Sequence, residues 1–178
     1  TMIKERRSVR KYKDEKVDRE TMREIVDIAR WAPSWVNYQI ARYTLVDDEE
    51  IIKEIAEHGV NGFVYNIDTL RTAKGVAVLS FVKGKSGTYD KEYITSKGNS
   101  WEVFDAGIAC QTFCLAAHAK GVGTCIMGVI DDKSIAKIVN LPEDETVAAL
   151  IVYGYEDGEH AAPNKRKDVD EIMRFVDR

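Results

Sequence analysis

The sequence predicts a single domain, residues 1–178, of mixed α and β structure around one sheet, and three observations carry that expectation. Two runs, GVAVLSFV at 75–82 and TVAALIVYGY at 146–155, are apolar throughout, the pattern of strands covered on both faces. Amphipathic helical stretches alternate with them along the chain. The length suffices for one sizeable core and falls short of two ordinary domains.

Each element follows from local chemistry. The first clear helix spans 18 to about 30, with Asp18 as its N-cap and Met22, Ile25, Val26 and Ala29 on one stripe, and Pro33 ends it. The loop APSWVNYQ leads to a short strand at 43–46. DDEEIIKEIAEHG, 47–59, is a helix with acidic residues in its first turn and Gly59 as its stop. After the strand at 75–82, the polar stretch 83–98 (KGKSGTYDKEYITSKG) reads as a long exposed loop or a short mobile helix. A helix at 99–120 follows, in which only Asp105 and His118 are ionisable between Asp105 and Ala119. Small residues (Ala106, Gly107, Ala109, Ala116, Ala117) mix there with Ile108, Phe113 and Leu115, so the helix is apolar all round, which predicts burial. Gly121 supplies a left-handed stop after Lys120. GTCIMGVI, 123–130, is strand or loop, and DDKSIAKIV is a helix capped by Asp131 or Asp132, with Pro142 closing the unit. The tail carries a basic knot, Lys165, Arg166 and Lys167, before a short helix starting at Asp168 with Glu171 in capping-box position.

Composition removes several classes of function. With 44% hydrophobic and 31% charged residues, 3 Pro and 12 Gly, the chain is neither disordered nor a repeat or disulfide scaffold. Thirty acidic against 26 basic residues leave a formal charge of −4, so no overall field draws in nucleic acid or an anionic membrane, and any anion site must be local. The 3 cysteines, Cys110, Cys114 and Cys125, form no CxxC pair, which points to reduced thiols and a cytoplasmic setting. No stretch reaches the roughly 18 apolar residues of a membrane span, and the first residues lack the apolar core of a signal peptide.

Two clusters have the chemistry of a binding site. Arg6, Arg7, Ser8, Arg10 and Lys11 concentrate cations and a hydroxyl, and 165–167 adds a second cationic patch; guanidinium forks and a hydroxyl suit a phosphorylated ligand, although a charge run is also ordinary solvated surface. The loop at 33–39 places Ser34, Asn37 and Gln39 together, and amides with donor and acceptor side by side can read the edge of a heterocycle; an ordinary capping turn uses the same residues. GVGT at 121–124 is too short for a dinucleotide fingerprint and reads as helix-stop chemistry. Cys110 and Cys114 lie one helical turn apart without further ligands beyond His118, so packing is their role. His58, His118 and His160 have no nucleophile beside them, and no hydrolase triad is visible.

Taken in order, RRSVRKY at 6–12, PSxxNxQ at 33–39, DAGIACQTFCLAAHAKGVGT at 105–124, MG at 127–128 and the basic knot at 165–167 resemble the nitroreductase-like FMN oxidoreductases over nearly the whole chain. The resemblance implies an α+β nitroreductase fold with an antiparallel or mixed central sheet, an intertwined homodimer and FMN at the dimer interface. It implies that Arg6, Arg7, Ser8 and Arg10 hold the FMN phosphate and ribityl chain, with Arg166 and Lys167 closing from the tail. Ser34, Asn37 and Gln39 surround the FMN, the first two supplied by the other subunit; Met127 and Gly128 approach the ring through their backbone, and Asn66 lies near its pyrimidine end. The implied activity is ping-pong reduction of nitroaromatics, quinones or a related small acceptor by NADH or NADPH, with no metal, nucleic acid or membrane partner. Azoline oxidation, dehalogenation, flavin cleavage and a low-turnover flavin-binding role are alternatives on the same fold. Departures are Ile40, Ala41 and Arg42 after Gln39, where the family often has proline and an aromatic, and a short chain that leaves 83–98, with Tyr89 and Tyr93, as the cover over the acceptor.

Overall fold

The structure, a computed structural model, describes residues 1–178. Four strands form an antiparallel sheet in the order β1 (Ala41–Val46), β2 (Gly75–Val82), β6 (Glu145–Gly154), β5 (Gly123–Met127). β2 is buried at every residue, as its unbroken apolar run requires of a central strand. A bulge between Leu79 and Ser80 shifts its register against β6, where the Ser80 hydroxyl donates to Glu145 Oε1 at 2.6 Å.

Helices cover both faces. On one, α2 (Arg19–Ala29) and α5 (Ser100–Ala119) pack Met22, Ile25, Ala29, Phe113, Cys114 and Ala117 against Ala77, Leu79, Ile151 and Tyr153. On the other, α3 (Glu49–His58), α4 (Val64–Thr72) and α6 (Asp132–Ile138) bring Ile52, Ile55, Leu70 and Ile135 against Val76, Val78, Leu150 and Val152. The caps follow the sequence: Asp18 accepts from the Thr21 amide at 2.8 Å and Asp131 from the Ser134 amide at 3.0 Å. Gly121 closes α5 at φ 76°. A short α1 (Met2–Glu5) precedes the sheet, and a last turn, α7 (Val169–Ile172), carries the expected contact of the Asp168 amide with Glu171 Oε2 at 2.8 Å.

The two edges of the sheet differ. The amino-terminal segment lies along β5, with Ser8 paired in parallel to Thr124 and the Val9 amide donating to the Thr124 carbonyl at 2.8 Å. Gly123 makes that approach possible, because a Cβ there would sit 2.8 Å from Val9 Cγ2. β1 has β2 as its one strand neighbour.

Three expectations need correction. Residues 83–98 are neither a loop nor a helix but contain a small hairpin, β3 (Thr88–Tyr89) against β4 (Glu92–Tyr93), and Ser86 and Thr88 are buried. The helix at 99–120 is not buried all round, since Val103 and Phe104 are 58% and 57% exposed within the chain. α4 was not anticipated: it has no side-chain N-cap, and only Leu70 among its apolar residues is buried, Val64 and Tyr65 being exposed.

Candidate functional site

β5 is the spine along which most of the proposed contacts assemble. At its start, Arg6, Ser8 and Arg10 follow one another along the extended amino-terminal segment, Ser8 and Arg10 with exposed side chains and Arg6 half-buried. At its end, Met127 is buried and Gly128 is exposed, with nothing within 4 Å of where a Cβ would stand. Asn66 reaches the same end from α4, its side-chain amide donating to the Val129 carbonyl at 3.0 Å. Sheet register and the Asn66 hydrogen bond therefore bring Ser8, Arg10, Met127, Gly128 and Asn66 along one rim, from three separate parts of the sequence.

A cavity of about 380 Å³ opens beside Arg6 and Arg7, its wall including Gly121–Thr124, His118 and His160 and two carboxylates, Glu5 and Glu156. The Nε of Arg6 is buried there with no hydrogen-bond partner, the one buried side-chain polar atom in the chain left in that state. An unpaired buried guanidinium nitrogen is costly, which sets Arg6 apart from its neighbours in this wall. Arg7 is differently engaged: its Nε donates to the Ala161 carbonyl at 3.0 Å and its Nη1 to the Lys4 carbonyl at 2.6 Å and the Arg6 carbonyl at 3.0 Å. It ties the amino terminus to the tail. His160 adds a second tie, with Nδ1 2.8 Å from Glu156 Oε2 and Nε2 2.6 Å from the Glu5 carbonyl, and these two acceptors hold its pKa above the usual histidine value.

Arg166 and Lys167 are exposed, and Arg166 donates to the neighbouring Asn164 carbonyl at 2.9 Å; no hydrogen bond or ion pair joins them to Arg6 or Arg10 within the chain. The tail has already passed the mouth of the cavity at His160 and Ala161.

The loop at 33–39 is built elsewhere, over the first half of α5. Val36, Asn37 and Gln39 all hold positive φ, at 48°, 51° and 53°, a conformation that costs a β-branched valine most. The Ser34 hydroxyl stabilises the turn by accepting from the Gln39 amide at 2.9 Å, and the Gln39 side chain donates to the Asn37 carbonyl at 3.3 Å. No hydrogen bond carries this loop to β5, so the chain by itself does not unite Ser34, Asn37 and Gln39 with the rim.

A mostly apolar cleft of about 290 Å³ is lined by Val103, Ala106, Gly107 and Cys110 of α5 with Ile126 of β5. The three thiols are free and buried. The hydrogen bond from Cys110 pulls the Cys114 thiol below its ordinary value, with Thr124 and the Arg6 guanidinium adding to it, while burial pushes Cys125 up. No group of histidine, cysteine and carboxylate side chains is placed to hold a metal ion, and no helix is long and apolar enough to cross a membrane.

The sequence reading overlooked the buried carboxylates of α5, Glu102 and Asp105, which are 6% and 4% exposed. A signal was present: an acid inside an otherwise apolar helix must find donors or stay out of the core.

This arrangement defines a class before it defines a family. The fold is that of the nitroreductases: a crystal structure from Exiguobacterium sibiricum solved in complex with FMN superposes with a TM-score of 0.84 at 22% identity, covering 98% of this chain and 95% of that one. The Nitroreductase family model matches residues 3–155, and the chain belongs to that family. Among its relatives, an FMN reductase [NAD(P)H] from Bacillus subtilis is 30% identical over 161 residues, 86% of this chain and 64% of the relative. An iodotyrosine deiodinase from Thermotoga neapolitana is 25% identical over 163 residues, 88% of this chain and 87% of the relative.

Proposed function

We propose that the protein is an FMN-dependent NAD(P)H oxidoreductase that works as a homodimer and reduces nitroaromatics, quinones or a related small acceptor. The observation that carries this reading is the unpartnered, buried Nε of Arg6 at a cavity flanked by Arg7 and Thr124. A phosphate oxygen satisfies that donor, and the residues present fit the rest of the cofactor: Ser8 and Arg10 continue the donor set along β5, and the empty space over Gly128 admits a planar ring against backbone. Bound there, FMN supplies the hydride chemistry, and the protein supplies position and electrostatics.

The chain's own residues then divide the work. Arg6, Ser8 and Arg10 fix the phosphate and ribityl chain, and Arg166 with Lys167 close on the phosphate from the tail. Met127 and Gly128 set the depth of the ring, and Asn66 lies at its pyrimidine end. Ser34 and Asn37, held away from their own rim, serve the partner's site, which makes the dimer part of the chemistry, and Gln39 completes the surround of the flavin. The open faces support this: Val103 and Phe104 on α5 are more than half exposed, Ile172, Phe175 and Val176 in the tail are 71%, 85% and 83% exposed, and the hydrogen bonds of residues 162–178 stay within that stretch. Turnover is ping-pong, with NAD(P)H and the acceptor using the same face in turn.

Anaerobic titration of the FMN-loaded protein tests the proposal. NADH or NADPH is expected to bleach the flavin absorption band, and an acceptor to restore it; failure to bind FMN, or a bound flavin that neither nucleotide bleaches, rejects it. A second reading, reductive dehalogenation on the same cofactor, is favoured by the deiodinase relative. Halide release from an iodinated or brominated phenol distinguishes it.

A further inference from the structure

Two carboxylates that the proposed chemistry does not use stand in the wall between the 33–39 loop and the hairpin at 83–98. Asp105 Oδ2 accepts from two sides: from the Trp35 amide at 3.0 Å and from the Ser86 hydroxyl at 2.6 Å. Trp35 then returns the connection, its indole Nε1 donating to the Thr88 carbonyl at 2.7 Å. One turn earlier on α5, Glu102 Oε1 accepts from the Gly84 amide at 3.1 Å and from the Tyr93 hydroxyl at 3.2 Å. Ser86 and Thr88 are 0% and 3% exposed, so the junction is dry, and a carboxylate there is worth keeping only if its bonds are made.

The two segments it joins are held internally by local turn bonds and one short strand pairing. The loop has three residues at positive φ, and the hairpin strands are two residues each. Short hairpins are marginal alone, and a strained loop persists only where its surroundings determine it.

We infer that Asp105 is a positioning residue that locks the 33–39 loop and the 83–98 hairpin into one body, so that the polar side chains offered to the cofactor and the cover over the acceptor are set together. Glu102 anchors the far side of the hairpin. The link to cofactor and acceptor rests on the proposed flavin site, whereas the mechanical link between the two segments does not. The lock has a direction: loss of the Asp105 carboxylate frees both segments at once, while loss of the Ser86 hydroxyl frees the hairpin and leaves the Trp35 amide paired.

Amide hydrogen exchange on the purified protein, with and without added FMN, reads this out for Asp105→Ala, Asp105→Asn and Ser86→Ala. Loss of charge-assisted bonds is expected to speed exchange in Asp105→Ala about tenfold or more at both 34–39 and 84–93, with β2 and β6 amides unchanged. Asp105→Asn, which keeps one acceptor oxygen, is expected to restore part of the protection, and Ser86→Ala to raise exchange at 84–93 alone. In the loaded enzyme, KM for the acceptor rises in Asp105→Ala by a larger factor than kcat falls. Unchanged exchange at either segment overturns the lock, as does loss of protection spread evenly through β2 and β6, or Asp105→Asn behaving as Asp105→Ala. A wild-type protein that binds no FMN yet shows the exchange pattern rejects the flavin reading and leaves the lock standing.

Discussion

Along β5, the candidate contacts are placed by strand register and its flanks: Ser8 pairs with Thr124, Asn66 caps the far end through the Val129 carbonyl, and Arg6, its Nε unpaired, lines a cavity. At 33–39, polar residues of the same kind are held by strained backbone and a carboxylate from α5, with no bond to the rim. A site made by register is as stable as its sheet and is complete in one chain except for its ligand. One made by a strained loop is adjustable and needs something to face, and in the proposed dimer that is the rim of the second subunit.

The contrast can be broken most severely through the core beneath α5, the helix that carries the 33–39 loop. Phe113 is fully buried against Ala77 and Ile151 in the layer beneath α5, and Phe113→Ala should cost about 3–5 kcal/mol of stability in chemical denaturation. A loss under about 1 kcal/mol would mean α5 rests on something other than this layer. The loop side is tested by charge on the outer face of α5. Phe104→Glu should weaken self-association by about 2 kcal/mol or more, seen by sedimentation as monomer at concentrations where the parent is a dimer. An unchanged dimer places the interface elsewhere.

The rim side is tested by ligand affinity at constant fold. Arg166→Ala should weaken FMN binding by about 1.5–3 kcal/mol, or roughly tenfold to a hundredfold, with the melting temperature of the flavin-free protein unmoved. Gly128→Ala sharpens this further: its added methyl meets no protein atom, so stability should stay within about 0.5 kcal/mol while flavin affinity drops. Equal affinity in both variants would remove the ring and phosphate assignments together.

The smallest effect belongs to the tie between the termini. His160 titrates above its ordinary value because Glu156 and the Glu5 carbonyl favour the charged ring. Its contribution to stability is therefore complete below the unfolded value, near about pH 6.5, and is lost as pH rises through the folded one. Melting curves of His160→Gln and the parent should converge across that rise, and a difference that does not vary with pH would show that the histidine is not charged in the fold.

Most of the framework was legible because its signals are local. Asp18, Asp131 and Gly121 are caps whose chemistry needs no partner from a distant segment, and the largely apolar, β-branched runs of β2 and β6 have the pattern of central strands. The order of strands was not legible, since pairing of Gly123–Met127 with β6 depends on packing. Of the site, the residue types at 6–10 were readable, while their division of labour was not: that Arg7 is consumed by three carbonyls and Arg6 left unpaired is decided by where the tail passes. The hairpin at 83–98 was misread because its order comes from Glu102 and Asp105, acids on another element.

The unequal edges of the sheet carry a last consequence. With β5 sheathed by the amino-terminal segment and β1 bare, any stacking of chains through backbone pairing can begin on one side only. A chain that added copies of itself in this way would grow from a single end, and Arg42 on that strand is one of the charges that stand against fibre growth.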